Sequence, residues 1–397
     1  MHIHLTGAGE PTGSRAFLIP LLIANGITTV RDMGGSVDLL KKLRSEIESG
    51  KRIGPHIFFT GPYLDGNPPS FQPSIVVQTP AEGIAAVDKL KSEGVDFIKV
   101  QSRLLPDPYY AIAGESNKQR IRFVGHVPDS ITAAAASDAG QSSIEHLTGV
   151  LLDCSSREEE LRRRQIAPPP RGESKEQSLA RERAWTKDLL DSYSAERAAS
   201  LVQRFHANET WQVPTFPTLV HIGFITPDAD LQNNPKMEYV PLKLQELWQQ
   251  GRRGQLEGRN AQDFAERAQI IMRLLQIVGE MNAKGVPIMA GTDAAAPNVF
   301  PGFSLHEDLT YFVRAGLTPM QALQAATAKP AEFLGRSAEQ GTIEAGKRAD
   351  LVLLDANPLD DIHNTQKIRA VVVNGTLLNR RDLDAMLTEV AQFANSH

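Results

Sequence analysis

The distribution of apolar and polar positions divides the chain into alternating short and long segments. Runs rich in β-branched residues read as strands at His2–Thr6, Thr28–Asp32, His56–Thr60, Asp96–Gln101, Arg122–His126 and Ser143–Leu147. Between them, apolar residues recur at helical spacing over Arg15–Asn25, Asp38–Glu48, Pro80–Ser92, Asp107–Lys118 and Ser130–Ala139. Gly26, Gly50, Gly94 and Gly140 stand where such helices stop. Strand and helix alternating at this pace predict parallel β/α units.

The pace breaks after the sixth strand. Ser155–Arg204 is strongly charged, with Arg157 to Glu160 and Arg162 to Arg164 ahead of a turn at Pro168–Pro170. It reads as a helical insertion whose charges form a solvated face. Thr210–Thr218 is the seventh strand, Lys243–Lys284 a long helical stretch and Pro287–Gly291 the eighth strand, with helices at Phe303–Ala315 and Pro319–Ala328. Gly341–Leu354 and Arg369–Gly375 then show strand patterns with turn glycines and no intervening helix, and Arg381–Asn395 closes the chain as a helix. The expected fold is α/β: a (β/α)8 TIM-like barrel over 1–335 carrying the insertion at 155–204. A small, partial C-terminal β-module at 336–378 and a helix at 379–397 complete it.

Composition narrows the function classes. The 397 residues are 41% hydrophobic and 22% charged, ordinary for a soluble globular enzyme. A net charge of −5 argues against nucleic acid or an acidic membrane as the main partner. No apolar run is long enough to span a bilayer. Cys154 is the single cysteine, so this sequence holds no internal disulfide and no multi-cysteine zinc site. Nothing pairs it with a base, and it reads as structural. A metal would have to sit on histidine and carboxylate.

Such ligands stand at strand ends. His2 and His4, two apart on a strand, point to one face, as a metal site requires. Phe97, Lys99 and Gln101 share a strand face opposite Ile98 and Val100, which turns Lys99 into the barrel, where an unpartnered lysine is costly. His126, His146 and Asp293 each end a strand-like run. In a β/α barrel the chemistry gathers at the C-terminal ends of the strands, so four histidines, a lysine and a carboxylate converge on one mouth. By the same alternation Glu145 would point outward, toward the helices.

His2-Ile-His4, Phe97-Ile-Lys99-Val, Val124-Gly-His126, Ile144-Glu-His146 and Gly291-Thr-Asp293 resemble the metal motifs of the amidohydrolase superfamily. The nearest branch holds imidazolonepropionase-like enzymes and prolidase-like dipeptidases, which Thr318–Thr327 and Gly341–Val352 also resemble. The resemblance spans nearly the whole chain apart from the insertion. It implies one divalent ion, most simply zinc, on His2, His4 and Asp293, and a second on His126 and His146. Lys99 would bridge them as a carbamate. In a one-metal version, His126 or His146 would orient the substrate carbonyl instead. A metal-activated hydroxide would attack, with Asp293 as general base, and the substrates would be amides of small molecules or dipeptides. Cyclic amidase or phosphotriesterase-type chemistry, and a non-catalytic truncated remnant, are the alternatives.

Tyr63 and Arg103, following strands three and four, are candidate contacts for a substrate carboxylate. Of the five histidines off the motifs (His56, His206, His221, His306 and His363) all read as structural, with His306 the strongest exception as a substrate contact after strand eight. Family members carry several dozen residues, commonly with a signal peptide, before the His-x-His strand. On that ground the β-module would lack half its strands, and weak metal binding and aggregation are expected of this stretch alone. As written it reads as soluble and cytoplasmic, its compartment otherwise unknown, with a small-molecule partner and a homo-oligomer left open.

Overall fold

The computed structural model describes residues 1–6, 18–225, 227 and 234–396. Its helices form where the chain supplies both a cap and an apolar stripe. Pro80–Ser92 opens with a reciprocal capping box between Thr79 and Glu82, and Val37–Glu48 with Ser36, burying Leu40, Leu43 and Ile47 along one side. Part of the predicted helix Arg15–Asn25 lies outside the described residues; Ile19–Ala24 is helical.

The strands are short and mostly parallel. β1 (Thr29–Asp32) pairs with β2 (His56–Phe59). A second sheet, in the order β4-β3-β5-β6-β7-β8, holds β3 (Tyr63–Asp65), β4 (Ser74–Val76), β5 (Ile98–Val100), β6 (Phe123–Gly125), β7 (Ser143–Glu145) and β8 (Trp211–Val213). Isolated parallel bridges join the rest: Ile3 to Asp32 and to Ala294, and Gln212 to Ile288. Asp96 N–H donates to Phe59 O at 2.9 Å, tying the approach to β5 to the end of β2. Followed through these contacts, the pairing runs from Ile3 around the set and back to Ile3.

The two faces of β5 to β7 are both buried, as parallel strands covered by helices require. Ile98, Val100, Phe123 and Ile144 join the large core under the helices. Inward, Phe97, Val124, Val213, Met289 and Phe333 form a separate plug, with Phe97 stacked on Phe333 at 5.5 Å between centroids.

Several expectations change. The predicted strands at His2–Thr6 and Pro287–Gly291 are reduced to isolated bridges. The seventh strand ends at Val213, because Thr215 takes a left-handed φ of 50° and Phe216–Thr218 turns helical. The stretch Lys243–Lys284 is two helices, Leu242–Leu256 and Ala261–Ala283, parted at Gly258 (φ 79°) and restarted by Asn260 as cap. Pro319–Ala328 likewise divides into Pro319–Ala326 and Ala328–Phe333. Strands β3 and β4 were hidden by the Pro- and Gly-rich run between them.

Ser155–Arg204 is helical, as Glu158–Ile166, Lys175–Asp191 and a helix from Ala195 to Ala207. Its charges are not all on a solvated face. Arg162 is buried, donating to Ile131 O at 2.7 Å and pairing with Asp153 at 2.7 Å.

Past Phe333 the chain forms an antiparallel sheet in the order β11-β10-β9, from β9 (Leu351–Leu354), β10 (Ile368–Val373) and β11 (Thr376–Asn379). Only the end of the predicted strand Gly341–Leu354 pairs, since Gly341 and Gly346 hold positive φ and Lys347 N–H closes a turn onto Glu344 O. Val371, Val373 and Leu378 pack with Ile23 and with Leu383 of the closing helix Arg380–Ser396. Among the described residues no helix is long and apolar enough to cross a membrane.

Candidate active site

Asp293 is the meeting point of the first four residues. Its Oδ1 lies 3.0 Å from His4 Nε2 and 3.3 Å from His2 Nε2, and the three residues offer ligand atoms within 4.8 Å of one another. Backbone contacts hold them there: Asp293 N–H donates to His2 O at 2.9 Å, and His4 N–H to Ala294 O at 2.7 Å. From the other side, Asp32 accepts the Leu5 N–H at 2.6 Å. Asp293 itself sits at a φ of 61°, which turns its carboxylate back over the strand end.

The other histidines join by ring contact. His146 lies 4.6 Å from His2 and 4.9 Å from His126, centroid to centroid. Lys99 is fully buried beneath them. A side chain at Gly125 would come within 2.9 Å of Lys99 Cδ and 2.3 Å of Val100 O, so glycine is the residue that leaves the lysine its room. The ligand candidates His2, His4 and Asp293 thus form one tight group, with His126, His146 and Lys99 alongside.

Each imidazole is held by its Nδ1. That of His2 lies 2.7 Å from Glu145 Oε2, that of His4 3.2 Å from Gly34 O, that of His126 2.8 Å from Ser102 Oγ and that of His146 2.6 Å from Thr215 Oγ1. A backbone carbonyl can only accept, so His4 carries its proton on Nδ1. Thr215 Oγ1 gives its own hydrogen to Pro214 O at 2.7 Å, so His146 must donate to it as well. In both rings Nε2 is left as a bare lone pair, the state a metal ligand needs. The donor set therefore fits a divalent cation of the N/O-preferring kind, zinc foremost.

Electrostatics agree with that assignment. Burial, with Lys99 and neighbouring histidines adding to it, drives His126 well below the usual imidazole range. Burial and then His2 hold His146 down at about 3, so both rings are neutral at neutral pH. Burial lowers Lys99 to about 8 against the opposing pull of Glu145 and Asp293, which makes a free amine accessible. For Asp293 burial works toward protonation, but the neighbouring His2 outweighs it and holds the carboxyl well below the usual carboxylate range.

The outward direction expected for Glu145 is wrong. Its carboxylate is fully buried on the side of the site, accepting from Arg31 Nη2 at 2.8 Å and Ser143 Oγ at 2.6 Å besides His2. Regular alternation stops there because His146 and Leu147 take left-handed φ of 59° and 52°. Both Glu145 and His146 can then face inward. Glu145, Arg31, Ser102 and Thr215 are the supporting residues that sequence reading did not find. For Glu145 the unexplained acid beside a candidate ligand was the signal; for Thr215 there was none.

Substrate candidates fare unequally. Tyr63 is buried against the site, its hydroxyl 3.4 Å from His4 Nδ1. Arg103 is exposed and its guanidinium donates to Pro68 O at 3.0 Å. His306 is not in a loop at the mouth. It lies buried in the helix Phe303–Arg314 with Nδ1 3.0 Å from Thr365 Oγ1, beside a cavity of about 510 Å³ that Leu354 and Ile368 also line.

Parts of the chain are similar to known proteins. Residues 269–378 match the model of the amidohydrolase family. The imidazolonepropionase of Shouchella clausii is 36% identical over 115 residues, 25% of this chain and 24% of that protein. The ochratoxinase of Aspergillus niger is 39% identical over 89 residues, 22% of this chain and 18% of that one. The chain thus covers about a quarter or less of the curated relatives it matches. Among solved structures, a bottromycin amidohydrolase superposes with a TM-score of 0.78 at 22% identity, over 99% of this chain and 78% of that one. A Xaa-Pro dipeptidase follows at 0.61 and 21%, over 96% and 85%. Those two likenesses establish a shared fold. The class they define is an α/β fold held in common with hydrolases. Over residues 269–378 the chain is similar to the amidohydrolase family, and the relatives it matches in part include imidazolonepropionases.

Proposed function

We propose that this chain is a metal-dependent hydrolase of carbon–nitrogen bonds, acting on amides of small molecules or on dipeptides. The observation that carries the reading is the common arrangement of the four imidazoles, each with Nδ1 engaged from behind, around Asp293. We read the returning succession of parallel pairings as a (β/α)8 barrel over 1–335 with its insertion at 155–204. The antiparallel sheet is read as a partial β-module over 336–378, closed by the helix at 379–397. The site then lies at the C-terminal ends of the barrel strands, where such folds place their chemistry.

His2, His4 and Asp293 would hold one divalent ion and His126 and His146 a second, with Lys99, as its carbamate, between them. Bound there, such ions supply a Lewis acid for the substrate carbonyl and lower the pKa of water to about 7. Asp293 would do the proton work. Its side chain is 16% exposed, open to an incoming molecule, and it is held ionised. It would take the proton from the attacking water and deliver it to the departing nitrogen, so that amide and water become carboxylic acid and amine. Tyr63, on the wall beside His4, would position the substrate, and Arg103 would stand at the rim for a carboxylate. A library of dipeptides and N-acyl amino acids, assayed for amine release with zinc and with a chelator, tests the reading. Zinc-dependent release from at least one member is expected; no release from any member by zinc-loaded protein would overturn it.

A further inference from the structure

Arg31 is wholly buried, an expensive position for a guanidinium, and the partners it has taken there share one purpose. Its Nε donates to Met1 O at 2.7 Å, Nη1 to Ser143 Oγ at 3.2 Å and Nη2 to Glu145 Oε1 at 2.8 Å. The rings of Phe333 and Phe97 lie 5.1 and 5.7 Å from its central carbon. Ser143 Oγ donates to the same Oε1 at 2.6 Å. Two donors therefore converge on one oxygen of Glu145, and the other, Oε2, is left for His2 Nδ1 at 2.7 Å.

We infer that Arg31 and Glu145 are positioning residues that fix the tautomer of His2 and so set the metal affinity of the site. The inference rests on the metal reading above and assigns it two residues that touch neither substrate nor ion. An arginine has donors only, so whatever stands at position 145 must turn an acceptor toward it. Glutamate has an acceptor to spare for His2 Nδ1–H, which leaves Nε2 bare. A glutamine does not: its oxygen goes to Arg31 and its amide group faces His2. Nδ1 must then accept, the proton moves to Nε2, and the ring can no longer ligate through that atom.

Glu145→Gln should weaken zinc binding by about 10- to 100-fold, the usual cost of a lost outer partner of a ligating histidine. Adding Arg31→Met frees the glutamine to reverse, with its amide group on Ser143 Oγ and its oxygen on His2. The second substitution should therefore restore affinity, making Arg31→Met/Glu145→Gln about 10-fold tighter than Glu145→Gln alone. Zinc dissociation constants by chelator competition read both effects. Wild-type affinity in Glu145→Gln, or a double variant as weak as the single one, would overturn the inference. Should Glu145→Gln fail to fold, Arg31→Met/Glu145→Gln is compared with Arg31→Met/Glu145→Met, neither of which buries a charge at these positions. The glutamine form should bind zinc about 10-fold more tightly; equal affinities would overturn the inference. A wild-type protein that binds no zinc at all would instead remove the metal reading beneath it.

Discussion

Thr215 Oγ1 lies 2.6 Å from His146 Nδ1, and it reaches that position because both residues hold left-handed φ, 50° and 59°. The pair joins the end of β8 to the end of β7 behind the candidate ligands. Thr215→Val keeps the shape and removes the acceptor. It should weaken zinc binding by about 10- to 100-fold with little change in melting temperature. Chelator competition measures the first and a thermal melt the second; unchanged affinity would show that His146 is oriented by packing alone.

Lys99 gives a prediction of stoichiometry. With burial holding it at about 8, roughly a tenth of the amine is free at pH 7, enough to form a carbamate with dissolved carbon dioxide. Lys99→Ala should lower bound metal from two ions per chain toward one. Bicarbonate or a short-chain carboxylate should restore part of the activity by filling the gap. Metal counted by elemental analysis at two ions in the variant would show that Lys99 bridges nothing.

His306 predicts an acid limb of stability. Burial, then Lys236, lowers its folded pKa to about 4, below the ordinary 6.5. A histidine depressed in this way leaves its contribution intact above pH 6.5 and loses it as the pH falls toward 4, by about 3 kcal/mol in all. His306→Phe cannot take up that proton. Its unfolding free energy should therefore gain on the wild type between pH 7 and pH 4, while other titrating groups cancel in the comparison. Parallel curves from denaturant titrations would contradict this.

The charged insertion separates two neighbours. Arg162 donates to two backbone carbonyls, Asp129 O and Ile131 O, and pairs with Asp153, which burial raises to about 6 even so. Arg162→Ala should cost about 3–5 kcal/mol by stranding those partners, whereas Arg163→Ala, on the exposed side, should stay within about 0.5 kcal/mol. Equal melting temperatures for the two variants would mean that the buried arginine is dispensable.

What could be read from sequence was whatever depends on local order. His2, His4, His126, His146 and Asp293 could be singled out because each lies at or beside a strand-like run, and Lys99 because alternation along its strand turns it to the same face as Phe97 and Gln101. The helix Pro80–Ser92 was read to the residue because its cap and its apolar stripe are both local. Glu145 was misplaced because strict alternation assumes extended backbone through His146, and a φ of 59° there breaks it. His306 was misplaced for a different reason: whether it faces the mouth or Thr365 is decided by a contact 59 residues away. The inward face of Arg162 is likewise set by carbonyls in another segment, which charge patterning does not register.

Asp293 is the group proposed to move the proton, and Asp293→Asn is the variant that bears on this role without other change. The amide is nearly isosteric and retains one oxygen, so fold and most of the bound metal should survive. Turnover of the best substrate should fall by about 100-fold or more, as removal of a general base entails. Turnover like that of the wild type, in a variant shown to hold its metal, would remove Asp293 from the reaction.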